Sequence, residues 1–432
     1  MYRKILIANR ADCALRLIQA CHDENIEACL ICARDDASQA VISQADDVIY
    51  TGMTREAYTS PENILEAALS RDCEAILPGW GFLSEDFAFA RRCRHLGLHF
   101  IGPKTQHIQL FGDKLKTIQT LSALMPMHSQ AMPCNTPNLT SLLKDSGQTC
   151  WMLKPRCGGG GKGLESFQSH EALIKRLTSL SKNLRHYYVE PLIPEARHIE
   201  FQIFGDGMGR IDVMGCRDCT PQVHHQKWLE QSVDMTANPM LSQLCDELMH
   251  AFASLKYQSW GTVEFLVHDE KAVLLEVNPR LQVEHGVTEM ALNTDIVRRA
   301  IRLSCMGPQG FERVQSQNNT PGTERSECLE FRLYARTAGI IQNIGFQGFE
   351  WPHHKYESDP SYRLETACQP GDPMTGIYDG MLARFIVQAP PNQALKKLKS
   401  WLQDWHIKGI ETNINDLNTL PSDLNTLTQY RR

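Results

Sequence analysis

The sequence predicts a doubly wound α/β unit with a parallel sheet, then a small glycine-rich unit, then a larger α+β region. Three observations predict this. Between residues 1 and 102, apolar runs of strand length alternate with stretches of helical period, the pattern of βαβ units. Four consecutive glycines at 158–161 follow directly on the strand-like "WMLKP". From about residue 193, runs of alternating polar and apolar residues take over.

In chain order, "KILIAN" is a strand, 11–23 a helix and "EACLICA" a strand. "SPENILEAALSRD" is a helix: the Ser60 hydroxyl can accept from the first free N–H groups, and Pro61 stands where its missing N–H costs nothing. "CEAILPGW" is a strand, "SEDFAFARRCRHLG" a helix capped by Ser84 and stopped by Gly97, and "LHFIGP" closes the unit. The first unit therefore covers 1–110. A linking helix from Asp113 to about Leu124 lies within 111–129, ahead of the boundary-like "MPMHSQAMPCNTPN". The small unit covers 130–192. The large region, 193–432, holds strands in "HIEFQIFG", "GTVEFLVH" and "KAVLLEVN", a helix in "TDIVRRAIRLSC" and a polar surface loop in "QGFERVQSQNNTPGTERSE".

With 432 residues, 42% hydrophobic and 22% charged, the chain has material for an ample core. A net charge of −6 gives no reason to expect nucleic acid or an anionic membrane as partner. The start enters a strand at once, and no later run approaches membrane-spanning length, so a cytoplasmic location is expected. Fifteen cysteines are expected as reduced thiols. The pairs Cys29/Cys32 and Cys216/Cys219 lie too far apart for a zinc ribbon, and a metal or redox role is the minor reading for either.

The chemistry concentrates in "LEVNPRLQVEH", 275–285. Alternation alone suggests a half-buried strand, but Pro279 cannot donate to a ladder. A strand is therefore expected through "AVLLEVN", with a loop carrying Arg280, Gln282 and Glu284. Glu264 and Glu276 are lone acids in apolar strands, costly to bury unless paired or holding a cation. The two strands read as a hairpin through "DEK", letting both acids share Mg²⁺, a cation that takes oxygen ligands. The glycine run is either a linker or a lid over an anion, and the strand and Lys154 before it favour the lid. It is not a Walker A loop, since Arg156 and Gly163 occupy two of that motif's positions. In "RHIEFQIFG", His198, Glu200 and Gln202 share one parity and face either a site or water. "CRDCTPQVHHQKWLE" brings Gln222, His225 and Lys227 together, though alone it reads as polar surface. A lid, a carboxylate–amide cation site and a basic cluster beside a free carboxylate are what phosphoryl transfer to an oxyanion needs.

At this point the chain resembles the biotin carboxylase family of the ATP-grasp superfamily, over nearly its whole length. "KILIANRADCALRLIQAC", "LPGWGFLSED" (similar to "HPGYGFLSEN"), "FIGP", "GDK", the glycine run, "RHIEFQIFGD", "RDCTPQVHHQK", "GTVEFL", "EVNPRLQVEHGVTEM", "YDGMLAR" and "GIETN" occur in family order. The resemblance implies an ATP-grasp fold and these roles. Lys114 and Lys154 contact ATP phosphates, with Gly160 and Gly161 closing over them. Glu190 and Ile193 line the adenine pocket, and His198, Gln222 and His225 surround the nucleotide. Glu264, Glu276 and Asn278 hold Mg²⁺ or Mn²⁺. Lys227, Arg280, Gln282 and Val283 bind bicarbonate, Glu284 deprotonates it, and Arg332 stabilises the biotin enolate.

The implied reaction is ATP-dependent carboxylation of biotin through carboxyphosphate. No "MKM" occurs in the sequence, so biotin is expected on a separate carrier protein. A carboxyltransferase component and a homodimer are the other implied partners, and an acyl-CoA, acetyl-CoA first, is the expected acceptor. The alternatives are a urea-type or other carboxylase, or a nucleotide-binding paralogue without turnover. The sequence departs from the family pattern at Ala11, Gln19, Pro191, His224, Arg336 and Arg384.

Overall fold

The computed structural model describes residues 1–36, 38–126, 130–159, 161–223, 226–268, 271–313, 326–346 and 359–420. Gly160, His224, His225, most of the expected surface loop and the tail from residue 421 lie outside the described residues.

The first sheet joins β1 (Lys4–Ile7), β2 (Glu27–Ala33), β3 (Asp47–Gly52), β4 (Ala75–Leu77) and β5 (His99–Phe100) in the order β3-β2-β1-β4-β5. Its pairs are parallel. Ile5 and Ile7 pack under the Ala11–His22 helix, while Leu6 and Ala8 enter a second core under the Pro61–Ser70 and Phe87–His95 helices. Both faces are covered, which is why these strands read as continuous apolar runs rather than alternating ones.

Ser60 caps its helix as expected, accepting from Asn63 N. The third helix is a correction: it starts at Phe87, and Asp86, not Ser84, is its cap, accepting from Phe89 N at 2.8 Å. Ser84 is taken up by the preceding turn, where Gly79, Gly81 and Phe82 all have positive φ and the Ser84 N–H bonds Gly81 O. The linking helix runs Lys114–Ser122 with Asp113 as cap, behind a separate Thr105–Phe111 helix that the sequence pattern did not reveal. Ala11, where the family pattern has glycine, takes φ +50°, a region that costs a side chain about 1–2 kcal/mol.

A four-stranded antiparallel sheet follows, with β6 (Met132–Pro133), β7 (Trp151–Pro155), β8 (Glu165–Phe167) and β9 (Tyr187–Pro191) in the order β6-β9-β7-β8. The main sheet then joins β10 (Arg197–Asp206), β11 (Ile211–Asp218), β14 (Leu229–Val233), β15 (Gln258–His268), β16 (Lys271–Asn278), β17 (Glu327–Tyr334), β20 (Tyr362–Glu365) and β22 (Met381–Ala389). Its order is β16-β15-β10-β11-β14-β17-β22-β20, and its pairs are antiparallel. Two-stranded pairs complete the fold: β12 (Gln222–Val223) with β13 (Gln226–Lys227), β18 (Gly339–Ile340) with β21 (Pro373–Met374), and β19 (Asn343–Phe346) with β23 (Trp405–Lys408).

Phe204, Trp260 and Leu281 of the large region share one core with Ile5, Ile7 and Leu17, so the first sheet is packed against the main one. All fifteen cysteines are free thiols, and both C-x-x-C pairs are buried. No helix of the described residues is long and apolar enough to cross a membrane.

Candidate functional site

The expected hairpin is present, and its register supplies the site's first row. Glu264 on β15 stands directly opposite Glu276 on β16 and, on the other side, opposite Glu200 on β10; Glu200 in turn faces Arg217 on β11. A bulge makes this possible. Phe265 pairs with Leu274, so Leu275 is the extra residue. Without it, Leu274 and Glu276 would share a face; with it, Leu274 enters the core with Val263 and Phe265 while Glu276 turns to the cavity. On β10, His198, Glu200 and Gln202 form one buried face, and Ile199, Phe201 and Ile203 pack in the core on the other.

The paired strand acids Glu200 and Glu264, with Glu284 from the loop behind Pro279, repel unless a cation joins them. Lys227 supplies it. Its Nζ donates to Glu200 Oε2 at 2.5 Å, Glu264 Oε1 at 3.1 Å and Glu284 Oε1 at 2.9 Å. Burial alone would push the Lys227 pKa down, but Glu200, Glu264 and Glu284 more than reverse this and hold it well above the ordinary lysine value. Glu264 also meets His198 Nε2 at 2.8 Å and Asn278 Nδ2 at 2.8 Å.

Pro279 ends β16, and the loop behind it carries the next three polar residues before the His285–Leu292 helix. Glu284, at the head of that helix, is completely buried. Its second oxygen, Oε2, accepts from Arg332 at 2.6 Å. Burial raises a carboxyl's pKa, yet Lys227, Arg332 and Arg217 hold this one well below the usual range. Arg280 does not join Glu284. It pairs with Glu85 of the first unit and donates to Gln282 Oε1 at 2.7 Å. His285 Nδ1–H donates to Gln282 O (2.9 Å), and burial pushes the ring's pKa down to about 4, so it is neutral.

Two further lysines stand ready beside these groups. Lys114 pairs with Glu276 at 2.6 Å and donates to Gly158 O at 2.6 Å, tying the glycine run to β16. Lys154 is paired with Glu190. A cavity of about 460 Å³ gathers Lys114, Lys154, Gly158, Gly159, Gly161, His198, Gln222, Lys227, Glu264, Glu276, Arg280, Gln282, Val283, Glu284 and Arg332. Trp80, Glu85, Tyr334 and Asp379 complete its wall. Asn278 Nδ2 donates to Glu264 Oε1 at 2.8 Å and Glu276 Oε1 at 3.4 Å. Glu190 and Ile193, at and beyond the end of β9, are not among its lining residues.

The oxygen-rich set Glu264, Glu276 and Asn278 suits a hard cation such as Mg²⁺. Sequence reasoning missed Arg217, Glu85, Glu230 and Glu330. Glu200 was visible by parity only.

Comparison with known proteins agrees with this arrangement. Residues 1–108 match the model of the biotin carboxylase N-terminal domain, 117–308 that of the carbamoyl-phosphate synthase L chain ATP-binding domain, and 332–427 that of the biotin carboxylase C-terminal domain. The biotin carboxylase of Halalkalibacterium halodurans is 31% identical over 435 residues, covering 96% of this chain and 92% of that protein. The pyruvate carboxylase of Bacillus subtilis is 32% identical over 446 residues, and the chain spans only 38% of that protein's length. The biotin carboxylase domain of the Hydrogenobacter thermophilus 2-oxoglutarate carboxylase, solved as a dimer with MgADP, ADP and bicarbonate, superposes with a TM-score of 0.85 at 28% identity, over 99% of this chain and 95% of that one. The Campylobacter jejuni biotin carboxylase in complex with β-γ-ATP gives 0.85 at 28% identity, over 97% and 95%. The chain belongs to the biotin carboxylase family, ATP-dependent enzymes with an ATP-grasp fold.

Proposed function

We propose that the chain carboxylates biotin, held on a separate carrier protein, with ATP and bicarbonate as co-substrates. The observation that carries this reading is Glu284, a fully buried carboxylate kept ionised by Lys227 and Arg332 in the cavity that Lys114, Lys154 and the glycine run also line. In this reading Lys114 and Lys154 leave their acidic partners, Glu276 and Glu190, for the nucleotide phosphates. Gly160 and Gly161 close over them. Glu190 and Ile193 bound the adenine, with His198, Gln222 and His225 around the nucleotide.

Glu264, Glu276 and Asn278 would hold Mg²⁺ or Mn²⁺, which neutralises phosphate charge when bound. Lys227, Arg280, Gln282 and Val283 hold bicarbonate. Glu284 takes its proton, and the resulting oxyanion attacks the γ-phosphate, giving carboxyphosphate and ADP. Carboxyphosphate breaks down to CO₂ and phosphate, the phosphate takes the N1 proton of biotin, and the enolate this leaves, faced and stabilised by Arg332, captures the CO₂. The protein's share is positioning and charge placement in a cavity shielded from water.

The relatives are named for different acceptors: pyruvate, methylcrotonoyl-CoA and, for the putative enzyme of Emericella nidulans, urea. The acceptor is set by the carboxyltransferase the chain serves, and an acyl-CoA such as acetyl-CoA is our reading. A homodimer in the cytoplasm is part of the same proposal.

The test is ADP release with and without bicarbonate, and with free biotin in place of the carrier. Stimulation by both supports the reading; nucleotide binding without turnover would leave a non-catalytic paralogue. A narrower prediction concerns the cation. Glu276→Gln should raise the Mg²⁺ requirement by at least the roughly 10–100-fold that loss of an outer-shell partner costs a metal site, with the fold intact by circular dichroism. An unchanged Mg²⁺ titration would remove Glu276 from the metal site.

A further inference from the structure

Three carboxylates converge on the Arg332 guanidinium: Glu284 Oε2 at 2.6 Å, Glu230 Oε1 at 2.7 Å and Glu330 Oε1 at 3.2 Å. Glu230 on β14 and Glu330 on β17 are direct register partners. Their side chains therefore leave one face of the sheet with Cβ atoms about 5 Å apart. Both are completely buried.

Like charges so placed repel, and a guanidinium already shared with Glu284 cannot neutralise both. The same spot is short of donors. Among the described residues, no well-directed hydrogen bond reaches either oxygen of Glu230, or Oε2 of Glu330. That Oε2 lies against the His285–Leu292 helix, 3.7 Å from where a Cβ on Gly286 would stand.

The surrounding cations have other hydrogen-bond and ion-pair partners, though Arg384 also acts on the Glu330 carboxyl through space. Lys227 is held by three other carboxylates, and Arg217 on β11 binds Glu200. From β22 and β20, Arg384 pairs with Asp12 and Glu365, and Arg363 with Glu289 and Glu365. His285 is neutral, and burial raises the pKa of the nearby Tyr334 to about 12.

We propose that Glu230 and Glu330 together hold one proton and act as a positioning pair for Arg332. This rests on the reading of Arg332 as the group that faces biotin. The acid O–H supplies the missing donor. One neutral carboxyl leaves the guanidinium's positive field directed at the cavity, while the other fixes its plane. Burial is consistent with this, pushing the Glu330 carboxyl up to about 7 and Glu230 well above the usual range. Losing the shared proton at alkaline pH places one more negative charge beneath Arg332, which weakens the hold on bicarbonate.

The experiment compares wild type, E330Q, E330A and the E230Q/E330Q double variant, each checked for folding by thermal melting. The wild-type KM for bicarbonate, referred to the bicarbonate ion itself, should rise on the order of tenfold above neutral pH, as one added charge nearby would cause. In E330Q it should stay flat. E330A should lower biotin-dependent kcat on the order of 100-fold, as displacement of a positioned group does, and E330Q should restore most of it. An infrared band of a protonated carboxyl in wild type at neutral pH, fading with alkali and absent from the double variant, reports the proton without turnover. Parallel KM profiles in wild type and E330Q, or a wild type without that band, would overturn the proposal. A wild type that shows the band but no bicarbonate-dependent turnover would overturn the functional reading and leave the shared proton standing.

Discussion

Glu284→Gln should lower bicarbonate- and biotin-dependent ADP release by about 10²–10⁴, the usual cost of losing a general base. Nucleotide binding, measured by calorimetry, should stay near that of the unaltered chain. Glutamine keeps the shape and can still accept from Lys227 and Arg332, but it cannot take a proton. The two cations hold Glu284 well below the usual carboxylate range against the upward push of burial, so it is ionised at neutral pH but a weak base. Its value lies in placement against bound bicarbonate. Both oxygens already accept hydrogen bonds, one from each cation, so proton uptake must loosen at least one of them. If the variant loses only nucleotide affinity, Glu284 is a structural residue and the base lies elsewhere.

Lys227→Met should destabilise the fold by about 3–5 kcal/mol, the cost of stripping a buried charge of its partner. One ammonium serves three buried carboxylates, and among the described residues no other cation pairs with all of Glu200, Glu264 and Glu284. The pH dependence has a definite sign. In the native chain Glu264 and Glu284 lie below the ordinary glutamate value of 4.5, so their contribution is present above that pH and is lost as pH falls through their folded values. Without Lys227 both carboxyls move up. The variant's deficit in denaturant melts should then be largest at neutral pH and shrink as acid neutralises them. A deficit that is constant with pH would mean the lysine acts by packing alone.

Much of the site was legible because strand parity and two breaks, Pro279 and the "DEK" turn, are local features. They placed Glu264 opposite Glu276 and put Arg280, Gln282 and Glu284 on a loop. Arg217, Glu230 and Glu330 were not legible, since their meaning depends on which strands become neighbours in the main sheet. Glu85 captures Arg280 across the seam between the first unit and the large region, a contact with no counterpart in any sequence window. The Leu275 bulge was also hidden: in "AVLLEVN" simple alternation puts Leu274 and Glu276 on one face, and pairing with β15 separates them. Ser84 is not the cap because the helix begins only at Phe87, which puts Asp86 at the N-cap position.

In the proposed function this chain transfers the carboxyl of bicarbonate to biotin at the expense of ATP. Its most direct test is the transfer of label from radioactive bicarbonate to free biotin, counted as acid-labile product alongside ADP. Labelled carboxybiotin should form, require ATP and Mg²⁺, and disappear in Glu284→Gln. ATP binding with no label transferred to biotin, under conditions where a known biotin carboxylase transfers it, would rule out this activity for the chain.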